Sequence, residues 1–438
     1  MNAISTTNLK HRRELEKILG EGNVQPWGEI DSIQQQQIIQ GLAPETPIQG
    51  VVYPQTQEQL AGVIAYTHQQ QLTVLPCGFC SKIDWGGRVK NIDFVVSTQG
   101  VNQLIEHAVG DLTVTVEAGM KFSQLQAILA QENQVLGFDP SYPETSTIGG
   151  IIATADTNSL RHRYRSIRDL LLGISIIRYD GKIAKAGGRV VKNVAGYDLM
   201  KLFTGSYGTL GIISQITLRV YPQVQASGTV ILTGEASGIA QASQILLSSA
   251  LTPLAVDLIS SELSKKLGFG DNLGLMVRFQ SIPESVQQQS QRLMEVGEKL
   301  GLKAIYSDSD ADEENLWQQL KQQIWESESN ASIVCKIGIT PTSAVKTLIE
   351  SQTIGVIHAG VGLGVLRFDG VSPETLLKSR NWCESQGGFL SILKTPVDLK
   401  QKLDVWGYAG NSLNLMRQIK QQFDPQNQFS PNRFVGGI

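Results

Sequence analysis

Cysteine is nearly missing from this chain: four residues in 438, at positions 77, 80, 335 and 383. That is too few for a disulfide framework and too dispersed for iron–sulfur ligation, so a reducing, cytoplasmic setting is expected. A dominant charge sign is missing too. Lys and Arg number 37 against 40 Asp and Glu, a formal net charge of −3, which excludes the strongly basic balance of a nucleic-acid binder. Long apolar runs are lacking. The longest candidate, Leu170 to Ile177, has the length of a strand and falls short of the ~18 residues of an integral membrane span. Residues 1–17 are polar and charged, without the apolar stretch of a secretory signal. Any membrane association is therefore expected to be peripheral, through partners. There is no internal repeat or low-complexity tract. Glycine is plentiful, with 43 residues against a usual share of about 7%.

The length exceeds what one core usually carries, so two domains are expected. Residues 1–47 read as a helical lead-in rich in Gln and Glu, ending at Pro44 and Pro47. From 48 to 222 strands and helices mix without strict alternation. Val51-Val52-Tyr53 is a short strand. Thr56 with Gln59 makes a capping box, and Leu60, Val63, Ile64 and Thr67 follow at helical spacing. Leu72 to Leu75 and Ile92 to Ser97 are strands around the first glycine loop. Leu112 to Ala118 alternates like a strand with one buried face. Leu170 to Ile177 and Ile183 to Ala186 form a hairpin, Ala195 to Phe203 a helix, and Gly211 to Tyr221 a strand stopped by Pro222. Residues 223–438 mix strands, among them Gly355 to Phe368, with amphipathic helices such as Ser285 to Leu300 and Asp312 to Trp325. The class is α+β, not a doubly wound sheet.

Two glycine segments carry chemistry. Pro76-Cys77-Gly78-Phe79-Cys80-Ser81-Lys82 lies between two strands, where successive backbone N–H groups can cradle an anion. Pro76 fixes its entry, and Gly78 permits a left-handed conformation. Cys77 and Cys80 share this loop, but a poor helix follows, and Cys335 and Cys383 are isolated. They read as small residues in a tight loop, with no metal site. Thr147-Ile148-Gly149-Gly150-Ile151-Ile152-Ala153-Thr154 offers the close backbone approach that a flat ring system needs. A dinucleotide held across both segments points to a flavin.

A third run, Gly187-Gly188-Arg189-Val190-Val191-Lys192-Asn193-Val194-Ala195-Gly196-Tyr197-Asp198-Leu199, leads into Gly205-Ser206-Tyr207-Gly208-Thr209-Leu210-Gly211-Ile212-Ile213. With the two glycine segments these motifs resemble, in order and spacing, the FAD domain of the vanillyl-alcohol oxidase/PCMH-type flavoproteins. The resemblance spans 48–222. It implies a two-subdomain FAD-binding domain followed by an α+β C-terminal domain of FAD-linked-oxidase type, 223–438, whose tail returns to the FAD domain. Residues 77–82 would hold the pyrophosphate. Pro140, Ser141, Thr147, Gly149, Gly150, Ala153 and Thr154 would line the isoalloxazine and ribityl chain, and Ile213 the adenine side. Members with covalent flavin carry a His in the first loop. Phe79 stands there instead, so non-covalent FAD is implied.

Within that family the chain is most similar to the E-type FAD-binding subunits of glycolate oxidase, through the Lys192–Leu199 run and the tail Leu415 to Phe434, where Ser430 and Asn432 depart from the usual Asn-Pro-Gly-Arg. This resemblance implies partners, a catalytic D-type flavoprotein subunit and an iron–sulfur subunit, and oxidation of glycolate or another small 2-hydroxy acid. D-type relatives place base and metal ligands in His-Ala-Gly-Asp-Gly-Asn-x-His and Gly-Glu-His-Gly motifs. Here the first has become His358-Ala359-Gly360-Val361-Gly362-Leu363-Gly364-Val365, and the second is replaced by Val405-Trp406-Gly407-Tyr408-Ala409-Gly410. His358 reads as a lone imidazole in an apolar strand and Lys336 as a solvated strand residue. His11, His68, His107 and His162 have no clustered partners in the sequence. The basic run Arg161 to Arg168 reads as a solvated loop, the alternative being a patch that binds an acidic partner surface or a carboxylate substrate. A self-sufficient dehydrogenase for glycolate or D-lactate would draw on His358, Lys336 or Arg367. A third reading is an assembly subunit that holds flavin weakly.

Overall fold

The computed structural model describes residues 6–189, 197–308, 310–327, 329, 331–408 and 410–438. Its chain divides into two compact units. One joins Met1–Asp156, Ser166–Pro222 and Tyr408–Ile438, and the other joins Thr157–Arg165 and Gln223–Gly407.

The first unit holds two sheets. In the smaller, the strands run in the order Val24–Pro26, Gly50–Val52, Phe94–Ser97, Val74–Cys77. Phe94–Ser97 pairs parallel with both of its neighbours. Parallel neighbours need a crossover, and helix Gln57–Gln69 supplies one. Its side chains Leu60, Val63 and Ile64 are wholly buried, each burial stabilising by about 1.5–3 kcal/mol. Thr56 caps the helix by accepting from Gln59 N at 3.2 Å, while Gln59 Oε1 accepts from Gln55 N, one residue before the reciprocal bond of a full capping box.

The larger sheet is antiparallel: Leu104–Ala108, Thr113–Glu117, Ile212–Pro222, Leu171–Ile177, Ile183–Gly187, with Gln134–Leu136 on the far end of Ile212–Pro222. Its core gathers Val114, Val116, Ile148, Ile151, Ile152, Ile174, Ile216 and Leu218.

The second unit is one eight-stranded antiparallel sheet. Its order is Lys303–Ser307, Ala226–Gly234, Leu273–Ser281, Ala255–Ile259, Ile354–His358, Leu363–Asp369, Ser332–Gly338, Phe389–Lys394. Alternation sends Leu232, Leu258, Leu275, Ile357, Leu366, Cys335 and Ile392 into a core with Ile239, Leu246, Leu293, Leu348 and Leu376 from four helices. The same alternation places Thr229, Arg278, Asp257, His358, Arg367, Lys336 and Ser391 on the opposite face.

Four local expectations differ from what is found. Residues 1–47 are not wholly helical: between helices Thr6–Leu19 and Ser32–Gln40, Val24–Pro26 joins the first sheet against Gly50–Val52. Thr113–Glu117 is buried on both faces, because its polar residues find partners; Thr115 Oγ1 meets Thr217 Oγ1 at 2.9 Å and Glu117 accepts from Gln103 N. The expected helix from 195 to 203 is a short 3-10 turn at Leu199–Leu202, and 190–196 lie outside the described residues. The expected strand from 355 to 368 is two strands, reversing where Gly362 has φ +68°. A Cβ there would stand 2.1 Å from Ile339 O, so only glycine fits. Among the described residues no helix is long and apolar enough to cross a membrane.

Candidate functional site

Strand Val74–Cys77 runs directly into the first glycine segment, and Thr147 caps the short helix Ile148–Thr154 by accepting from Gly150 N at 3.0 Å. The two segments meet. A Cβ on Gly78 would fall 2.6 Å from Thr147 Oγ1 and Cγ2, so glycine is needed here for close approach. Its φ is not left-handed, contrary to the sequence expectation; the left-handed residue of the loop is Cys80, at φ 61°. Gly149 likewise serves packing. Its N–H donates to Ala118 O at 2.8 Å, and an added Cβ would lie 2.8 Å from the Cβ of Ala118.

Between these segments lies a partly open cavity. Of the residues singled out in the sequence, Pro76, Cys77, Gly78, Phe79, Cys80, Ser81, Lys82, Thr147, Gly149, Gly150, Ala153, Thr154 and Ile213 line it. Pro140 and Ser141 are not among the lining residues. Ser141 instead donates through N and Oγ to the buried carboxylate of Asp156, at 3.0 Å and 2.7 Å to its nearer oxygens. The lining also includes residues to which the sequence reading gave no role: Thr98, Ala118, Ser206, Tyr207, Gly208 and Arg433.

The charges around the cavity are arranged unexpectedly. Lys82 is buried and donates to Asp156 Oδ2 at 3.1 Å and Ser146 Oγ at 2.7 Å. Burial lowers its pKa, against the pull of Asp156. Lys82 thus anchors the loop internally. The other cation, Arg433, arrives on the tail. Its Nη2 donates to the carbonyls of Lys82 and Ile83 at 3.2 and 3.1 Å. The tail is tied there by backbone bonds: Val74 N donates to Gln428 O, Ser430 N to Val74 O, Lys90 N to Pro431 O, and Gly87 N to Arg433 O. No sequence spacing announced this, because the partners are 351 positions apart. Cys77 and Cys80 are free thiols. A hydrogen bond with Cys80, reinforced by burial, pushes Cys77 well above the ordinary thiol range, so it is a poor nucleophile at neutral pH. Lys121 Nζ sits 4.4 Å over the Phe79 ring.

The second unit holds another polar cluster. Asp257, fully buried on strand Ala255–Ile259, accepts from His358 Nδ1 at 2.7 Å and from Ser159 Oγ at 2.5 Å. The ring of His162 lies over the turn after His358, with Nδ1 2.7 Å from where a Gly360 Cβ would be. Burial holds His162 below its ordinary pKa, against the pull of Asp257 and with the help of His358. His358 and His162 are therefore not isolated, as the sequence had led us to expect. The other histidines are dispersed: His11 bonds Tyr66 OH, His107 bonds Gln134, and His68 packs edge-on against Tyr179. Lys336 is half-buried on the same sheet face. Arg367 is committed elsewhere, donating to the carbonyls of Gln323 and Glu326 and pairing with Asp369 at 3.0 Å. Among the described residues no His, Cys, Asp and Glu group could hold a metal ion.

Comparison with known proteins places these features. Residues 48–187 match the family described as FAD binding domain. The chain is 24% identical over 420 residues to D-lactate dehydrogenase of Archaeoglobus fulgidus, covering 88% of this chain and 91% of that protein. It is 28% identical over 332 residues to glycolate oxidase subunit GlcE of Escherichia coli, covering 75% of this chain and 83% of that one. A 25% match to the mitochondrial D-lactate dehydrogenase (cytochrome) of Arabidopsis thaliana covers 63% of this chain and only 50% of that protein's length. Among solved structures, 4-ethylphenol oxidase from Gulosibacter chungangensis gives a TM-score of 0.75 at 12% identity, covering 99% of this chain and 98% of that one. That likeness concerns the fold.

Proposed function

From a chain whose residues 48–187 form an FAD-binding domain, we propose a protein that holds FAD non-covalently and takes part in oxidising small 2-hydroxy acids to 2-oxo acids. The observation that carries this is the cavity where the 76–82 loop, the Thr147-capped helix and Ser206–Gly208 converge. Its chemistry suits a cofactor: loop backbone, the hydroxyls of Ser81 and Thr154 and the Arg433 guanidinium stand among apolar walls such as Ala118, Ala153 and Ile213. Residues 77–82 and Arg433 would hold the pyrophosphate, and Thr147 to Thr154 the ring side. Bound FAD would supply a two-electron acceptor for the α-hydrogen of the substrate. Phe79 offers no nucleophile, and Cys77 is held protonated, which supports non-covalent attachment.

The finer reading is a flavin subunit of a glycolate oxidase, working beside a catalytic flavoprotein subunit and an iron–sulfur subunit. Its supports are the likeness to GlcE over most of the chain and the four dispersed cysteines. The Asp257–His358 pair and the nearly full-length likeness to an archaeal D-lactate dehydrogenase favour a second reading, an enzyme that oxidises its acid unaided. Anaerobic mixing of the purified chain with glycolate and D-lactate decides between them. Unbleached flavin supports the subunit reading, and bleaching by either acid supports the second. Flavin that denaturation releases into the supernatant confirms non-covalent attachment; a protein that takes up no FAD at all overturns both readings.

A further inference from the structure

We infer that Cys77 and Cys80 form a thiol modification site, a dithiol that hydroperoxides convert to a disulfide, and that this bond weakens the hold of the 76–82 loop on FAD. The second half rests on the cofactor placement proposed above; the first does not.

Both cysteines belong to the first unit, stand three positions apart on one loop, and line the same cavity. Cys80 is part of a small core with Ile30, Leu42, Val51 and Leu75, and Cys77 packs against that core from the end of strand Val74–Cys77. Their side chains hydrogen-bond each other, and Ser97 bonds Cys77 as well. Small size alone explains neither this contact nor the backbone. Cys80 holds φ 61°, a left-handed conformation that glycine or asparagine adopts more readily. Other residues held in such regions cluster at ligand clamps and switch segments. Here the strained position carries the side chain that touches Cys77. Cys335 and Cys383 lie in the core of the second unit, where burial raises both thiols, Cys383 to about 11, so they serve as internal controls.

The loop has little slack. Upstream, Cys77 O accepts from Thr98 N at 2.8 Å and from Thr98 Oγ1 at 3.1 Å. Downstream, Arg433 holds the carbonyls of Lys82 and Ile83. Sulfurs in hydrogen-bond contact stand well beyond the about 2.05 Å of a covalent S–S bond. Bonding therefore draws Cys80 toward a fixed Cys77, and Gly78 and Phe79 take up the change. Gly78 has no room on the side of Thr147, where even a methyl would fall 2.6 Å from Oγ1. The N–H groups of the segment are re-aimed, and fewer converge on one anion.

The oxidation balances without flavin. Cys77 keeps the proton of the pair, so the Cys80 sulfur attacks hydrogen peroxide. An S–O bond forms as the O–O bond breaks, and hydroxide leaves with the Cys80 proton as water. The Cys77 sulfur then attacks the Cys80 sulfur. The S–O bond breaks, and a second hydroxide leaves with the Cys77 proton. Two thiols lose two electrons and two protons, and one peroxide becomes two waters.

The full chain, stripped of flavin or loaded with FAD, is treated with hydrogen peroxide, alkylated and mapped by peptide mass. A Cys77–Cys80 disulfide that dithiothreitol reverses is the expected result, with Cys335 and Cys383 still alkylated after unfolding. FAD should slow its formation by covering the loop. The oxidised chain should bind FAD about tenfold more weakly or worse, the effect of losing one hydrogen bond to a charged acceptor, read from quenching of FAD fluorescence. C80S, whatever its own affinity, should lose nothing further on peroxide treatment; the wild-type mapping decides even where that variant fails to fold. Thiols that survive intact, or a Cys80 that passes only to its sulfinic acid, overturn the site. A Cys77–Cys80 disulfide with unchanged FAD affinity overturns the coupling. A chain that takes up no FAD refutes the function proposed above and the coupling with it, and the dithiol then stands or falls on the mapping alone.

Discussion

Lys82 and Arg433 are both buried cations beside one cavity, and their roles differ. Lys82 neutralises Asp156, which also fixes Ser141, so its charge is spent inside the protein. Arg433 grips the loop through two carbonyls and lines the cavity. A charge-assisted hydrogen bond contributes about 1.5–3 kcal/mol. R433A should therefore weaken FAD binding by about 10- to 100-fold, read from quenching of FAD fluorescence, with R433K falling between because an ammonium keeps the charge but not the forked geometry. At this scale the sequence was legible wherever function needs small residues in a row. The glycine loop, Thr147, Gly149 and Gly150 could be read from spacing. Arg433 and Asp257 could not, since a single charged residue looks solvated until distant strands enclose it.

At the scale of the element, helix Ile148–Thr154 shows two effects in opposition. Ala is about 1 kcal/mol better than Gly inside a helix, which argues that G149A should stabilise. The new methyl would meet the Cβ of Ala118 at 2.8 Å and its carbonyl oxygen at 2.9 Å, and neither can swing aside. Overpacking of this kind costs about 1–3 kcal/mol, so sterics win. G149A should lower the thermal midpoint and the flavin absorbance per mole of purified protein. Helices and strands with strong periodicity were readable, Gln57–Gln69 and Leu171–Ile177 among them. Val24–Pro26 was not, because three residues carry no period and gain their strand state from Gly50–Val52. The reversal at Gly362 was hidden for a different reason: the strands on either side are both apolar, so the run looked continuous.

At the scale of the whole molecule, the two units have separate cores, and every residue lining the cavity beside the 76–82 loop belongs to the first. A ligand that binds only the folded form stabilises by about 2.7 kcal/mol at a hundredfold excess over Kd. Calorimetry should accordingly resolve two transitions, with FAD raising one and leaving the other in place; a single transition that moves as a whole would refute this. The two-domain expectation followed from length alone, whereas the brief crossing at Thr157–Arg165 has no compositional mark. The tail's bond to the first loop carries one more consequence. Lys82 leaves the ribosome 351 residues before Arg433, an interval of about 20–70 s at ~5–20 residues per second. Through that interval the nascent loop lacks its clasp, so the loop can reach its final form only once the end of the chain has been made.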